Sequence, residues 1–269
     1  MKRVSSGENP TVKRLLKVIN KPERFAPRYG VQEGEVIVEG PRVIEMALQA
    51  GIKITHVAVT EEFIGSNEST ILLDRLLGLG VYTVVLEKNA LKRLSQTVTP
   101  QGIIALCRVG ASEMSELPHE PVVVVDRIQD PGNMGTLIRT TDAAGFKMAV
   151  VLKGSVSPYN PKSIRASAGS VFNLKIAFAT AEELLLLASS ENRRVVGTDL
   201  KGDVGLYDYK PQGKELVVFG NETRGISEEI KRASEVLVRI PIYGKAESLN
   251  VGCSAAVFLY ELRQRLSLG

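Results

Sequence analysis

Four consecutive valines, Val122, Val123, Val124 and Val125, followed by Asp126, constrain this chain more than any other stretch. β-Branched side chains favour strand, and a strand that does not alternate has no face to give to water. Such strands lie in parallel sheets, whose crossovers need a dozen or more residues and place helices on both faces. The C-terminal half is therefore expected to be an α/β domain. Further apolar strand candidates recur at 148–152, 174–178, 195–199, 216–220 and 236–242, with helical patterns between them and a last helix over about 251–266.

The first hundred residues carry a smaller α/β layer. Asn9-Pro10-Thr11 ahead of Val12, Leu15, Leu16 and Ile19 reads as a capped helix with one apolar stripe, interrupted by Pro22, Pro27 and Gly30. Strands are expected at 36–39, 54–59, 81–86 and 103–108. Helices are expected from Pro41 to Leu48, stopping at Gly51, and at 71–77 and 90–94. Residues 110–121 hold no periodicity and read as a linker. The expected division is a basic N-terminal arm, 1–30, a small domain, 31–109, the linker, and a parallel-sheet domain, 122–269.

Charge is unevenly placed. The chain of 269 residues has 34 Lys and Arg against 30 Asp and Glu, a net +4, yet residues 1–30 alone hold eight basic and two acidic side chains. A concentrated basic arm can neutralise phosphates and release their counterions, which makes Lys13, Arg14 and Lys17 candidates for RNA contact. A solvated helix with surface lysines fits the same residues equally well. Two cysteines and two histidines supply neither a disulfide framework nor a structural zinc cluster. No apolar run reaches the ~18 residues of a membrane span, and the start lacks the apolar stretch of a signal peptide. A reducing, cytoplasmic setting is expected, without metal or membrane.

In open parallel sheets, ligands bind at the carboxyl ends of strands, so chemistry is sought in the loops that follow them. After 122–126 comes Asp130-Pro131-Gly132-Asn133-Met134-Gly135, with Arg139 six residues beyond Asn133 on the ensuing helix. After 216–219 comes Gly220-Asn221-Glu222-Thr223-Arg224-Gly225. After 236–240 comes Pro241-Ile242-Tyr243-Gly244-Lys245-Ala246-Glu247-Ser248-Leu249-Asn250, longer than the ~2–6 residues usual for an α/β connection. Any one of these could be ordinary turn and cap chemistry. Together they should open on one sheet edge. No dinucleotide glycine fingerprint, Walker loop or nucleophile elbow is present, so any catalysis runs on Arg, Glu, Asn, Ser and backbone groups.

In this order, the three loops resemble the SpoU (TrmH-like) family of RNA ribose 2′-O-methyltransferases. Asn133 to Arg139 resembles the family's first motif, Phe219-Gly220-Asn221-Glu222 with Gly225 the second, and Ile240-Pro241-Ile242 with Ser248-Leu249-Asn250-Val251 the third. Val38-Glu39-Gly40 and Pro100 to Ala105 resemble pieces of the small ribosomal-protein-like substrate-binding domain that many members carry. One departure is Gly252-Cys253-Ser254 where serine often follows Asn-Val, from which altered helix packing is expected.

The resemblance implies a C-terminal parallel sheet with a deep trefoil knot and a homodimer. It implies a bent S-adenosylmethionine held by Gly220, Ile240 and Leu249, with Thr198 and Ile242 lining the pocket. It also implies methyl transfer to a ribose 2′-hydroxyl with Arg139 acting near the subunit boundary. Asn133 would fix Arg139 or the ribose, Glu222 would orient the catalytic loop, and Ser248 and Asn250 would sit near the methionine end. Ribosomal RNA, 23S above all, is the expected substrate, with transfer RNA as an alternative. Two further readings stay open: a non-catalytic RNA-binding assembly factor on the same fold, and a nucleotide-binding oxidoreductase.

Overall fold

The computed structural model describes residues 1–4, 9–66 and 69–268. Its N-terminal part is a five-stranded sheet ordered β1-β4-β3-β5-β2, built from β1 (Lys2–Val4), β2 (Glu33–Glu39), β3 (Lys53–Thr60), β4 (Tyr82–Leu86) and β5 (Ile103–Gly110). Strands β1, β3 and β4 run parallel, and β5 is antiparallel to both of its neighbours. Alternation along the strands divides two packing layers. Val57, Val59, Ile103 and Ala105 face one side, and Ala58, Val84, Ile104 and Leu106 face the other.

The second layer is covered by α1 (Pro10–Asn20), which buries Val12, Leu15, Val18 and Ile19. Asn9 starts this helix as the sequence implies, its side-chain oxygen accepting from Thr11 N at 2.9 Å. After α2 (Pro22–Phe25), helix α3 (Pro41–Gln49), the short α4 (Glu61–Ile64) and α5 (Ser69–Gly78) contribute to the first layer, while α6 (Lys88–Leu94) lies beside α1 through Leu91 and Leu94. Among the described residues, the basic segment comprises a sheet-edge strand and helices, of which α1 covers the sheet. Arg14 is half-buried, ion-paired to Glu35 with its guanidinium 5.0 Å over the Phe25 ring.

The connecting residues dock on the second sheet, Ser112 N donating to the Ile176 carbonyl at 2.8 Å. That sheet has seven strands, all parallel: β6 (Val122–Val125), β7 (Met148–Leu152), β8 (Lys175–Ala179), β9 (Arg194–Thr198), β10 (Val204–Gly205), β11 (Glu215–Phe219) and β12 (Val236–Arg239), ordered β10-β12-β9-β11-β6-β7-β8. Val122 and Val124 enter one core layer and Val123 and Val125 the other, as an unalternating strand requires. One layer holds α7 (Pro131–Ala143), α8 (Pro161–Ala166) and α11 (Val251–Leu268), and the opposite layer holds α9 (Ala181–Ser190) and α10 (Glu228–Ala233). Strand β11, late in sequence, is inserted between β9 and β6. The strand order reverses there, and a crevice opens at the carboxyl ends.

One expected strand, 236–242, is cut short at Arg239. Pro241 has no N–H to give a ladder and its ring fixes φ, so Ile240 and Ile242 leave the sheet. Strands β1 and β10, three and two residues long, are too short for any alternation to announce them. Among the described residues, no helix is long and apolar enough to cross a membrane.

Candidate active site

The loop after β6 turns into α7 through a built cap. Asp130 accepts from the main-chain N–H of Asn133 at 2.8 Å, and Pro131 occupies the first helical turn, where no N–H is needed. That hydrogen bond, helped by Lys162, holds the Asp130 carboxyl below the usual carboxylate range. The cap fixes the direction in which Asn133 leaves the helix. Two residues on, a side chain at Gly135 would stand 2.5 Å from Ala166 Cβ and from the Ser163 carbonyl, so the glycine of this motif serves the contact of α7 with α8.

Asn133 joins all three loops. Its Nδ2 donates to Glu222 Oε1 at 2.8 Å, and its Oδ1 accepts from Asn250 Nδ2 at 2.8 Å. Asn250 Oδ1 in turn accepts from Gly252 N at 2.8 Å. The polarity of this relay follows from its ends. A backbone N–H can only donate and an ionised carboxylate can only accept, so each amide between them has one possible orientation. Residues 117 positions apart along the chain, Asn133 and Asn250, thereby meet beside Glu222.

The second loop is stiffened from within. Asn221 and Gly225 exchange main-chain hydrogen bonds at 2.9 Å, and Asn221 Oδ1 accepts from Thr223 N and Arg224 N at 3.0 Å. Asn221 Nδ2 donates to the Arg127 carbonyl at 3.0 Å and, more weakly, to Glu222 Oε2 at 3.3 Å. A side chain at Gly220 would fall on the main chain of Gly225 and Ile226, so only glycine admits this closure. Below it, the buried Asp126 accepts from Ser227 N. Sequence reasoning gave Asn221, Arg127 and Asp126 no role in the site. An asparagine heading a glycine-closed turn and an aspartate ending a buried strand were the signals.

Three of the candidate cofactor residues, Thr198, Gly220 and Ile240, end or follow the neighbouring strands β9, β11 and β12. Thr198 ends β9 and donates its hydroxyl to the Val218 carbonyl at 2.8 Å, and Gly220 follows β11 directly. Ile240 and Ile242 are half-buried beyond β12, and Leu249 is exposed. Among the described residues, 240–249 make no main-chain hydrogen bond to another segment, which leaves their amides and carbonyls free. Aliphatic surface with unengaged backbone polar groups suits a flat heteroaromatic ring that needs both stacking and edge hydrogen bonds. The residues present therefore fit an adenosyl group.

Arg139 and Ser248 stand outside the relay. Arg139 lies six residues past Asn133, about 9 Å farther along the axis and roughly 120° around it. It is exposed and makes no side-chain hydrogen bond or ion pair among the described residues. It occupies the ridge between Thr136 and Ala143. A side chain at Gly252 would stand 2.5 Å from Thr136 Cγ2, and the Ala143 carbonyl accepts from the Tyr260 hydroxyl at 3.4 Å. The departure at Gly252 is therefore a packing feature that lets α11 approach α7. Ser248 is exposed two residues before Asn250, with no hydrogen bond among the described residues. Of the basic candidates, Lys13 and Lys17 are exposed on α1, whereas Arg14 is engaged with Glu35. Lys92 and Arg93, exposed on neighbouring α6, extend the same surface.

Residues 120–260 match the SpoU rRNA methylase family, and residues 9–105 match an MRM3-like substrate binding domain. The chain is 30% identical over 264 residues to the 23S rRNA (guanosine(2553)-2'-O)-methyltransferase RlmP of Bacillus subtilis, covering 98% of this chain and 100% of that protein. It is 31% identical over 247 residues to a 23S rRNA (uridine(2479)-2'-O)-methyltransferase of Streptomyces viridochromogenes, covering 87% and 84%. The AdoMet-bound rRNA methyltransferase of Sinorhizobium meliloti superposes with a TM-score of 0.84 at 27% identity, over 98% of both chains. With its three motif loops joined at one sheet edge and its sequence matched over this length, the chain belongs to the SpoU rRNA methylase family.

Proposed function

We propose that this protein transfers a methyl group from S-adenosylmethionine to a ribose 2′-hydroxyl of 23S ribosomal RNA. The observation that carries the reading is the Glu222–Asn133–Asn250 relay, which ties the three family motifs into one cleft at the carboxyl ends of β6, β11 and β12. S-adenosylmethionine, when bound, supplies an electrophilic methyl group on a sulfonium. Thr198, Gly220, Ile240, Ile242 and Leu249 hold it on the β9–β11–β12 side. Glu222 and Asn250 fix the walls between cofactor and ribose, and Ser248 lies at the methionine end.

Most of the rate enhancement then comes from alignment, for which positioning alone can supply ~7–11 kcal/mol. A guanidinium offers donors and no acceptor, so Arg139 is not assigned as a general base. It grips an RNA phosphate and orients the 2′-hydroxyl by charge-assisted hydrogen bonds. Its place beside α11, where Val257 and Tyr260 are 37% and 55% exposed, supports a homodimer with Arg139 at the subunit boundary. The reach of the 240–250 segment back to Asn133, past the 220–225 loop, supports a trefoil knot. The exposed lysines of α1, with Lys92 and Arg93 of α6, make the N-terminal domain the grip on the RNA backbone. A cytoplasmic location follows from that substrate.

The test is methyl transfer from labelled S-adenosylmethionine to 23S RNA from cells lacking the gene, with a transfer RNA pool alongside. R139A is expected to abolish transfer and leave cofactor affinity within about threefold by calorimetry. Transfer to the transfer RNA pool alone would overturn the substrate, and loss of cofactor binding in R139A would overturn the role of Arg139.

A further inference from the structure

We propose that Arg127 is an RNA-binding residue of the cleft, holding a phosphate of the strand that enters on the side away from the cofactor. The inference rests on the reading of the protein as an RNA methyltransferase and adds a residue that none of the three motifs contains.

The backbone gives the first observation. Arg127 has φ +57°, the left-handed region that a side chain with a Cβ rarely adopts. Nothing in the turn needs an arginine there, and glycine would adopt the same conformation without strain. Retained strain of this kind points to work done by the side chain. The main chain is also held in place, since the Arg127 carbonyl accepts from Asn221 Nδ2 at 3.0 Å and from Gln129 Nε2 at 3.2 Å. The conformation is therefore coupled to the loop that carries Glu222.

The side chain gives the second. It is 37% exposed, and its Nε is buried without a hydrogen-bond partner, 3.3 Å from the buried Asp126 Oδ1. The terminal nitrogens make no hydrogen bond among the described residues. A guanidinium offers five donors in a planar fork, and here the charge is ion-paired to Asp126 on its Nε edge while the terminal donors are unused among the described residues. Asp126 faces only the Nε edge, through Oδ1, while its Oδ2 accepts from Ser227 N, so the two terminal nitrogens are left to another partner.

The direction gives the third. The Arg127 side chain runs over Gly154, just past β7, with Cγ at 3.6 Å from where a Gly154 side chain would begin. In the sheet order β12-β9-β11-β6-β7, the cofactor residues end β9 and β11 or follow β12, and Arg127 follows β6 and leans toward β7. At ~4.8 Å per strand, β7 lies about 19 Å from β12. By this strand order, Arg127 is on the far side of the relay from the residues that end or follow β9, β11 and β12. A charge-assisted, bidentate contact to a phosphodiester matches this fork.

The experiment compares wild type, R127G and R127K in steady-state methylation of 23S RNA, with cofactor affinity by calorimetry and thermal unfolding measured on the same preparations. R127G is expected to stay cooperatively folded, to raise KM for RNA about tenfold or more, and to leave kcat and cofactor affinity within about threefold. R127K is expected to recover part of the KM. An unchanged RNA KM in R127G overturns the proposal. A fall in Tm that parallels the loss of activity overturns it too, making Arg127 a counter-ion for Asp126. Loss of cofactor affinity at unchanged RNA KM reassigns the fork to the cofactor carboxylate and also overturns it. Absence of transfer by the wild type would instead strike the underlying functional reading.

Discussion

Asn133→Asp replaces one atom of the relay with its opposite. The carboxylate still accepts from Asn250 Nδ2, but it turns an oxygen toward Glu222 Oε1 where a donor stood at 2.8 Å. Two unit charges at that distance repel by about 1.5 kcal/mol in bulk water and about 6 kcal/mol at an effective dielectric of 20. The pair is solvent-accessible, so the lower part of that range applies. The lost charge-assisted hydrogen bond adds about 1.5–3 kcal/mol. A combined penalty of about 3 kcal/mol, if carried by the catalytic geometry, lowers methyl transfer at least about 100-fold. Glu222→Gln keeps an acceptor toward Asn133 and forfeits only the charge, about 1 kcal/mol or roughly fivefold. The double variant N133D/E222Q restores a donor and an acceptor in reversed order and should recover activity to within about tenfold of wild type. N133D alone should also gain activity as pH falls. Two adjacent carboxylates push the pair's proton affinity above the ordinary carboxylate range, and below that raised pKa one of them becomes the missing donor. Activity of N133D/E222Q no higher than that of N133D, with both variants folded by circular dichroism, would refute the reasoning.

Two further outcomes are expected. Gly220→Ala forces a methyl group onto the main chain of Gly225 and Ile226, which cannot yield as a flexible side chain would. It should lower Tm by several degrees and abolish cofactor binding in calorimetry, whereas full affinity would show that the loop can close another way. Lys17, Lys92 and Arg93 changed together to Glu should weaken RNA binding and flatten the slope of log affinity against log salt by about 0.7–0.9 per lost phosphate contact. Arg14→Ala, whose side chain is tied to Glu35, should leave that slope alone.

Much of this architecture is legible before any coordinates. Four unalternating valines require a covered parallel strand, and a parallel sheet dictates where the loops with chemistry must lie. Asn9-Pro10 fixes a helix start because the cap is local physics. The short edge strands β1 and β10 escape because pairing two or three residues leaves no periodic trace. The early end of β12 could have been read from Pro241, whose missing N–H was outweighed by the apolar run around it. In the site, the types and order of Asn133, Glu222 and Asn250 were visible, but not that one amide bridges the other two. That depends on β11 sliding between β9 and β6, a long-range pairing with no local signature. Arg127 was equally hidden, because the sign of a φ angle cannot be read from the residue name when the residue is not glycine.

The placement of β11 has a consequence for how the molecule comes into being. A nascent chain that has delivered everything up to residue 214 still lacks the strand that joins β9 to β6, so the two halves of the sheet have no common neighbour. Association of such distant segments is slow and carries a large loop-closure cost. Asn250 arrives later still, after β12. The crevice is therefore assembled only after β11, β12 and Asn250 have been delivered: a product cut short before residue 215 can carry the whole N-terminal sheet and still lack two of the three loops that Asn133 joins.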